Sequence, residues 1–121
     1  MAVNISDVGR NNCVEISKSV KGQGNYRINI LGNNNKLVIG ENTVLGNVLI
    51  EIRNHNSSIV IGDDCLINGF LRCRDSGAHI NVGAKTTMMN VRISLHEPGS
   101  IVIGEDCMFS GDIRMDVSDM H

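Results

Sequence analysis

The chain has 121 residues and a formal net charge of −2, which is enough polypeptide for one domain with a sizeable core. Hydrophobic residues make up 41% but aromatic residues only 2%, so we expect a narrow interior filled by aliphatic side chains. The charge balance, with no basic stripe visible in the sequence, argues against a nucleic-acid partner. No segment has the pattern of a signal peptide or the length of a membrane span, so a cytoplasmic protein is the default expectation.

The first 11 residues form a lead-in, and residues 12–121 consist of repeats. A blurred first copy is visible at Val14–Ser17, and Tyr26–Asn35 matches the later Leu49–Ser58. Four copies then align without gaps: KLVIGENTVLGN, SIVIGDDCLING, HINVGAKTTMMN and SIVIGEDCMFSG. Their glycines are Gly40, Gly62, Gly83 and Gly104, at separations of 22, 21 and 21 residues. About five copies of 21–22 residues therefore fill a single domain, residues 1–121.

The apolar residues within one copy predict its shape. In the copy from Ile59 to His79 they fall in three pairs, each with an internal spacing of two and each starting six residues after the last. The pairs are Ile59 and Ile61, Cys65 and Ile67, and Leu71 and Cys73. A spacing of two is the alternation of a strand with one buried face. Three six-residue edges and a three-residue extension at one corner give the 21-residue repeat.

This pattern predicts an all-β fold, a left-handed parallel β-helix of about five triangular coils, each made of three short parallel strands. A right-handed β-helix is the alternative, since it also tolerates coils of similar length, but the strict six-residue spacing favours the left-handed form. No segment shows a sustained helical period with caps.

Stacked coils place equivalent residues in columns. One column is aliphatic (Ile39, Ile61, Val82 and Ile103), and another is small (Thr43, Cys65, Thr86 and Cys107). Cys65 and Cys107 could be reactive thiols or a metal pair, but small buried fillers are the favoured interpretation, because free cysteine is among the most buried residue types. The three internal histidines, His55, His79 and His96, share no column and have no metal-ligand spacing, so we expect no metal site.

Two groups of segments resemble known proteins. IGENTV, IGDDCL, VGAKTT and IGEDCM resemble the hexapeptide repeat of left-handed β-helices. The final IGEDCMFSGDIRMDVSDMH is similar to the active-site coil of hexapeptide-repeat acyltransferases, in particular the O-acetyltransferases of capsule and surface polysaccharides, and GNNNKLVIG resembles the N-terminal coils of that group. The resemblance covers residues 12–121. It implies transfer of an acetyl group from acetyl-CoA, as co-substrate, to a hydroxyl of a sugar or polysaccharide.

The resemblance also implies roles for three terminal residues. In that family the matching histidine is the general base, which makes His121 the candidate base and Asp119 and Ser118 its candidate supporting residues. A neutral imidazole accepts a hydroxyl proton well near pH 7, and a nearby carboxylate can fix its tautomer. The plainer interpretation is a solvated chain end, because the column of His121 otherwise contains Ser58, His79 and Ser100, all polar. The residues that would bind acetyl-CoA are not assigned.

Further coils follow the histidine in the resembling enzymes and supply most of the acetyl-CoA site. The sequence is therefore interpreted as cut at a coil boundary, with lost activity as one consequence. Ile113, Met115 and Val117 would then form an open layer, which solenoids usually cover. Since related β-helices are usually trimers with active sites between subunits, a homotrimer is the first expectation and end-to-end stacking the second. The alternative function is a non-catalytic β-helix scaffold or binding module, including a transferase remnant.

Overall fold

A computed structural model describes residues 4–117, which form an all-β parallel solenoid without any helix. Its strands are β1 (Ser6–Asp7), β2 (Cys13–Ile16), β3 (Lys21–Gly22), β4 (Arg27–Ile30), β5 (Lys36–Ile39), β6 (Val44–Ile52), β7 (Ser58–Ile61), β8 (Leu66–Cys73), β9 (Ala78–Val82), β10 (Thr87–Leu95), β11 (Gly99–Ile103) and β12 (Met108–Val117). One sheet has the order β1-β4-β6-β8-β10-β12, with β3 paired to β6, and the other has the order β11-β9-β7-β5-β2. The described part therefore makes about five turns.

Each strand pairs in parallel with the equivalent strand of the next coil. Lys36 is the register partner of Ser58, and Ser58 is the partner of His79. Ser100 continues the same row as the partner of His79. Each step along this row is one repeat of the sequence, so the predicted stack of about five coils is confirmed.

The first coil has the predicted three short strands, β2, β3 and β4, whereas the strand count in the later coils differs from that prediction. The second and third edges of a coil belong to one long strand, so that β8 carries Ile67 as well as Leu71 and Cys73. The strand bends at Gly69, whose φ is +129°, and its pairing with β10 shifts register there. A Cβ at Gly69 would lie 2.1 Å from the carbonyl oxygen of Val91, so only glycine lets the strand turn this corner without leaving the sheet. Each of the later coils is thus one short strand and one long, bent strand.

The interior contains the side chains that the alternation selects. The six predicted inward residues are all at most 2% exposed: Ile59, Ile61, Cys65, Ile67, Leu71 and Cys73. The aliphatic column is buried along its whole length: Ile39, Ile61, Val82 and Ile103. Among residues 4–117 the buried hydrophobic side chains include no aromatic ring, which agrees with the narrow core expected from the composition.

Repeated corner geometry connects the strands. At the corner after the short strand, one residue in each of four coils has φ between 56° and 60°: Asn42, Asp64, Lys85 and Asp106. The N–H of Asp64 donates to the carbonyl of Glu41 in the preceding coil at 2.8 Å, and the N–H of Lys85 donates to Asp63 at the same distance. The corners are therefore hydrogen-bonded from coil to coil as the strands are. These bonds give partners to backbone N–H and C=O groups that would otherwise be unpaired.

Candidate functional site

The three residues singled out at the end of the sequence, Ser118, Asp119 and His121, lie outside the described residues. The described chain approaches them along β12, which pairs with β10 from Thr87 opposite Met108 to Leu95 opposite Val117. The inward side chains Ile113 and Met115 of this strand are half-buried against the core. The segment that resembles an active-site coil is thus a regular part of the solenoid up to residue 117.

The polar column predicted to precede His121 is present in the earlier coils. Ser58, His79 and Ser100 are register partners on neighbouring strands. The Oγ of Ser58 lies 2.7 Å from Nδ1 of His79, and both residues are partly exposed. In the sequence, one further repeat from Ser100 reaches His121. The position is therefore polar and accessible where the structure describes it.

The other two histidines have structural partners. Nδ1 of His55 accepts the backbone N–H of Asn33 at 2.8 Å. Nδ1 of His96 lies 3.2 Å from Nη1 of Arg74, and its Nε2 lies 3.0 Å from Oγ of Ser94. Because a guanidinium group only donates, Nδ1 of His96 accepts and Nε2 carries the proton of a neutral ring. Among residues 4–117 no group of three or more His, Cys, Asp or Glu could hold a metal ion.

The small column holds corners together by hydrogen bonds. Thr43 and Thr86 are 0% exposed and Cys65 is 2% exposed. Each donates from the same position to a glycine carbonyl of the next coil: Thr43 Oγ1 to Gly62 at 2.8 Å, Cys65 Sγ to Gly83 at 3.3 Å and Thr86 Oγ1 to Gly104 at 3.1 Å. The interpretation of Cys65 as a small buried filler, in a slot that otherwise takes threonine, is confirmed.

Burial also makes the two interior thiols unreactive. Desolvation raises the pKa of the Cys65 thiol above its ordinary value, and it raises that of Cys73 to about 12. The thiolate is the nucleophile and the metal ligand, so a thiol held neutral is poorly suited to either task. Cys13 is exposed and Cys107 is half-buried.

The outward side of the long strands carries an arginine cluster that the sequence reasoning missed. Phe70, Arg92 and Arg114 are register partners on β8, β10 and β12 and form one outward column. A second column begins with Glu51 and Arg72 and continues through Ser94 to Asp116. We define the arginine face as Phe70 with five arginines: Arg53, Arg72, Arg74, Arg92 and Arg114.

Stacking and ion pairs hold several of these side chains. The guanidinium carbon of Arg72 lies 4.4 Å from the centroid of the Phe70 ring, and that of Arg92 lies 5.2 Å from it. Nε of Arg72 is 3.0 Å from Oε1 of Glu51. Nε of Arg114 is 2.8 Å from a carboxylate oxygen of Asp116, while Nε of Arg53 is 3.6 Å from Glu51. Within residues 4–117 neither Arg74 nor Arg92 has a carboxylate oxygen within 4.0 Å.

Positive and negative charge lie on different parts of the solenoid. Beside the five guanidinium groups of the arginine face lie three carboxylates, those of Glu51, Asp112 and Asp116, which leaves a local excess of two positive charges. The corner that precedes the long strands is acidic in three coils, with Glu41, Asp63, Asp64, Glu105 and Asp106, and it carries Lys85 in the coil of β10. The expectation of no basic stripe was therefore wrong. The spacing of the arginines along the sequence indicates this face, since one repeat separates Arg53 from Arg74, and one repeat separates Arg92 from Arg114.

A groove of about 220 Å³ opens on this face. Its lining residues are Phe70, Arg72, Arg74, Arg92, Ser94, His96, Arg114 and Asp116. The groove thus combines guanidinium donors with one carboxylate, one hydroxyl group, an imidazole and a phenyl ring.

No family model, curated protein or solved structure matches this chain. The described residues contain no helix long and apolar enough to cross a membrane. The fold is therefore established by the structure alone, and the function has to be argued from the residues.

Proposed function

We propose that this chain is the repeat scaffold of an O-acetyltransferase that moves an acetyl group from acetyl-CoA to a sugar hydroxyl, with His121 as general base. The observation that supports the proposal is the regular β-solenoid itself, which continues through β12. That strand contains much of the segment that resembles the active-site coil of hexapeptide-repeat acyltransferases. A parallel solenoid is the scaffold that such a coil requires, although the fold alone serves many functions.

The proposed reaction is a direct transfer. The imidazole of His121 takes the proton of the sugar hydroxyl while the oxygen attacks the thioester carbonyl of acetyl-CoA. The tetrahedral intermediate collapses, the C–S bond breaks, and the departing thiolate receives the proton from the imidazolium. The products are the acetylated sugar and free CoA. Asp119 and Ser118 act in this proposal as positioning residues for the imidazole.

The test begins with isothermal titration calorimetry of acetyl-CoA into the folded 121-residue chain. Saturable binding in the micromolar range, about −8 kcal/mol, supports a donor site in this chain. Transfer is then followed by mass spectrometry of a panel of neutral and acidic sugars. His121→Asn should lower the rate by about 10²–10⁴-fold while acetyl-CoA binding persists, because only the proton acceptor is lost. His79→Asn, one of the histidines of the same repeat column, is the matched control and should keep the rate within a few fold.

A homotrimer with sites between subunits is part of the proposal, as is action in the cytoplasm. The resemblance supports the trimer, because related β-helices usually assemble in this way. Sedimentation equilibrium should give about three times the 13.1 kDa mass of one chain. A stable monomer with full acetyl-CoA binding would contradict the trimer but leave the transferase proposal in place.

The second candidate is a non-catalytic solenoid that binds through one of its faces. The arginine face favours it, because this charge excess lies on regular strands and takes no part in the proposed chemistry. Absence of any heat with acetyl-CoA, from chain shown to be folded by circular dichroism, would favour this second candidate.

A further inference from the structure

We propose that the arginine face binds a small anionic sugar, one that carries a carboxylate or a phosphate group, in the groove bounded by Arg74, Arg92 and Arg114. The proposal concerns binding, and it goes beyond acetyl transfer: the site is built in the same way whether the chain is an enzyme or a binding module. Its evidence comes from charge, side-chain positioning and groove size.

Two positive charges lie side by side on adjacent strands. Arg92 and Arg114 are register partners on adjacent strands, which are about 4.8 Å apart in a parallel sheet. Like charges directly opposite each other destabilise a sheet. Asp116 offsets the charge of Arg114, and Asp112 lines a neighbouring pocket with both arginines, but the described residues supply no carboxylate within 4.0 Å of Arg92. An oxyanion between the two strands would remove this repulsion and accept hydrogen bonds from two guanidinium groups at once.

Phe70 and His96 hold the arginines of this groove in place. Phe70 lies beneath the guanidinium groups of both Arg72 and Arg92. His96 accepts from Arg74 and is itself fixed by Ser94, which is 6% exposed. Each contact uses the face or one donor of a guanidinium group and leaves most of its five N–H groups available. Side chains that are already positioned lose less conformational entropy when a ligand binds.

The size and the lining of the groove indicate the class of ligand. A groove of about 220 Å³ is smaller than the roughly 300–1,000 Å³ of sites for drug-sized ligands, so it suits one sugar unit. Ser94 and Asp116 offer hydrogen-bond partners to sugar hydroxyls beside the guanidinium donors. A nucleic acid is disfavoured, because the Phe70 ring is already covered by guanidinium groups and cannot stack on bases. The acidic corner at the other end of the long strands would also repel a long polyanion.

The experiment is a titration of the ¹⁵N-labelled chain, followed by amide chemical shifts. The probes are D-glucuronate and D-glucose 1-phosphate, with D-glucose as the neutral control. We expect saturable shifts at residues 70–74, 92–96 and 114–116, with a Kd of about 1 mM, the affinity expected for a ligand of this size. Tighter binding of one probe identifies the carboxylate or the phosphate as the preferred group. Equal shifts with D-glucose, or shifts spread over the surface, would overturn the proposal.

Surface variants separate a built site from general charge attraction. Arg92→Gln should weaken binding by about tenfold, the effect of losing a hydrogen bond to a charged group. Lys85→Gln makes the same charge change at the exposed acidic corner and should leave the Kd unchanged. If Lys85→Gln weakens binding as much as Arg92→Gln does, net charge alone attracts the probe and the proposed site is overturned. Phe70→Leu keeps every charge and should weaken binding severalfold, because Arg72 and Arg92 lose their support.

Two further results bear on the ligand class. Inorganic phosphate should bind more weakly than D-glucose 1-phosphate, and equal affinity would refute the role of the sugar. Since the measurement needs no acetyl-CoA, failure of acetyl transfer and failure of this site are distinguishable.

Discussion

Replacing Thr43 with valine tests whether corner hydrogen bonds, as well as apolar packing, hold the coils together. Thr43 is fully buried, and its hydroxyl donates to the carbonyl of Gly62 at 2.8 Å and accepts the N–H of Cys65 at 3.1 Å. Valine has nearly the same shape, so Thr43→Val removes both hydrogen bonds without creating a cavity. A buried backbone group left without a partner costs about 1–3 kcal/mol. With two such groups, less roughly 1 kcal/mol for the added methyl group, we expect a loss of about 1–5 kcal/mol in the free energy of unfolding.

Thr43→Ser is the matched control, because it keeps the hydroxyl and removes one methyl group. Its expected cost is about 1 kcal/mol, the transfer free energy of that group with a small cavity. Urea unfolding followed by far-ultraviolet circular dichroism gives both values, provided that the m-values stay equal, since solenoids can lose cooperativity. If Thr43→Val unfolds at the same urea concentration as the wild type, or at a higher one than Thr43→Ser, the corner hydrogen bonds do not have the role assigned to them.

Two further predictions concern glycine and cysteine. A Cβ at Gly62 would lie 2.7 Å from the backbone nitrogen of Ala84, whereas one at Gly104 meets no described atom within 4 Å. Gly62→Ala should therefore lower the free energy of unfolding by about 1–3 kcal/mol relative to Gly104→Ala. Equal melting temperatures of the two variants would contradict the tight corner at Gly62. Burial raises the pKa of Cys73 from 9.0 to about 12, so its neutral thiol contributes stability that is intact below pH 9 and is lost as the pH rises towards 12. Between pH 8 and 10 the wild type should lose about 1.4 kcal/mol more than Cys73→Ala in urea unfolding, while Cys13→Ala, at an exposed site, should lose as much as the wild type.

The fold follows from the sequence because one rule repeats. Each inward pair, such as Ile59 and Ile61, alternates with outward residues, and the regularly spaced glycines fix how coils stack. Small details were not predictable from alternation. The inward residues on either side of Gly69 gave no indication that they lie on one strand. The alternation of buried and exposed residues breaks at Gly69, and it would break in the same way at a loop between two strands. Only the backbone dihedral angles distinguish a bend within a sheet from a loop between strands.

The candidate sites were less predictable from the sequence than the fold was. His121 was selected by a resemblance of local motifs, and it stays a prediction because it lies outside the described residues. The arginine face was not selected, although the spacing of its arginines follows the same repeat as the core. Net charge averages over the whole chain, so the basic face and the acidic corner cancelled in a composition of 11 basic and 13 acidic residues. Outward positions carry as much periodic information as inward ones.

The pairing of equivalent residues in adjacent coils has a consequence for how such a chain can change in length. Every strand pairing described joins equivalent residues of adjacent coils, from Cys13 with Lys36 onwards. Removal of one whole repeat, from Ser58 to Ala78, would place His79 in the position of Ser58, with every column still in phase. Removal of one residue within a strand would instead turn each following side chain of that strand to the opposite face. The molecule can therefore gain or lose whole coils by duplication and deletion, while single insertions are confined to its corners.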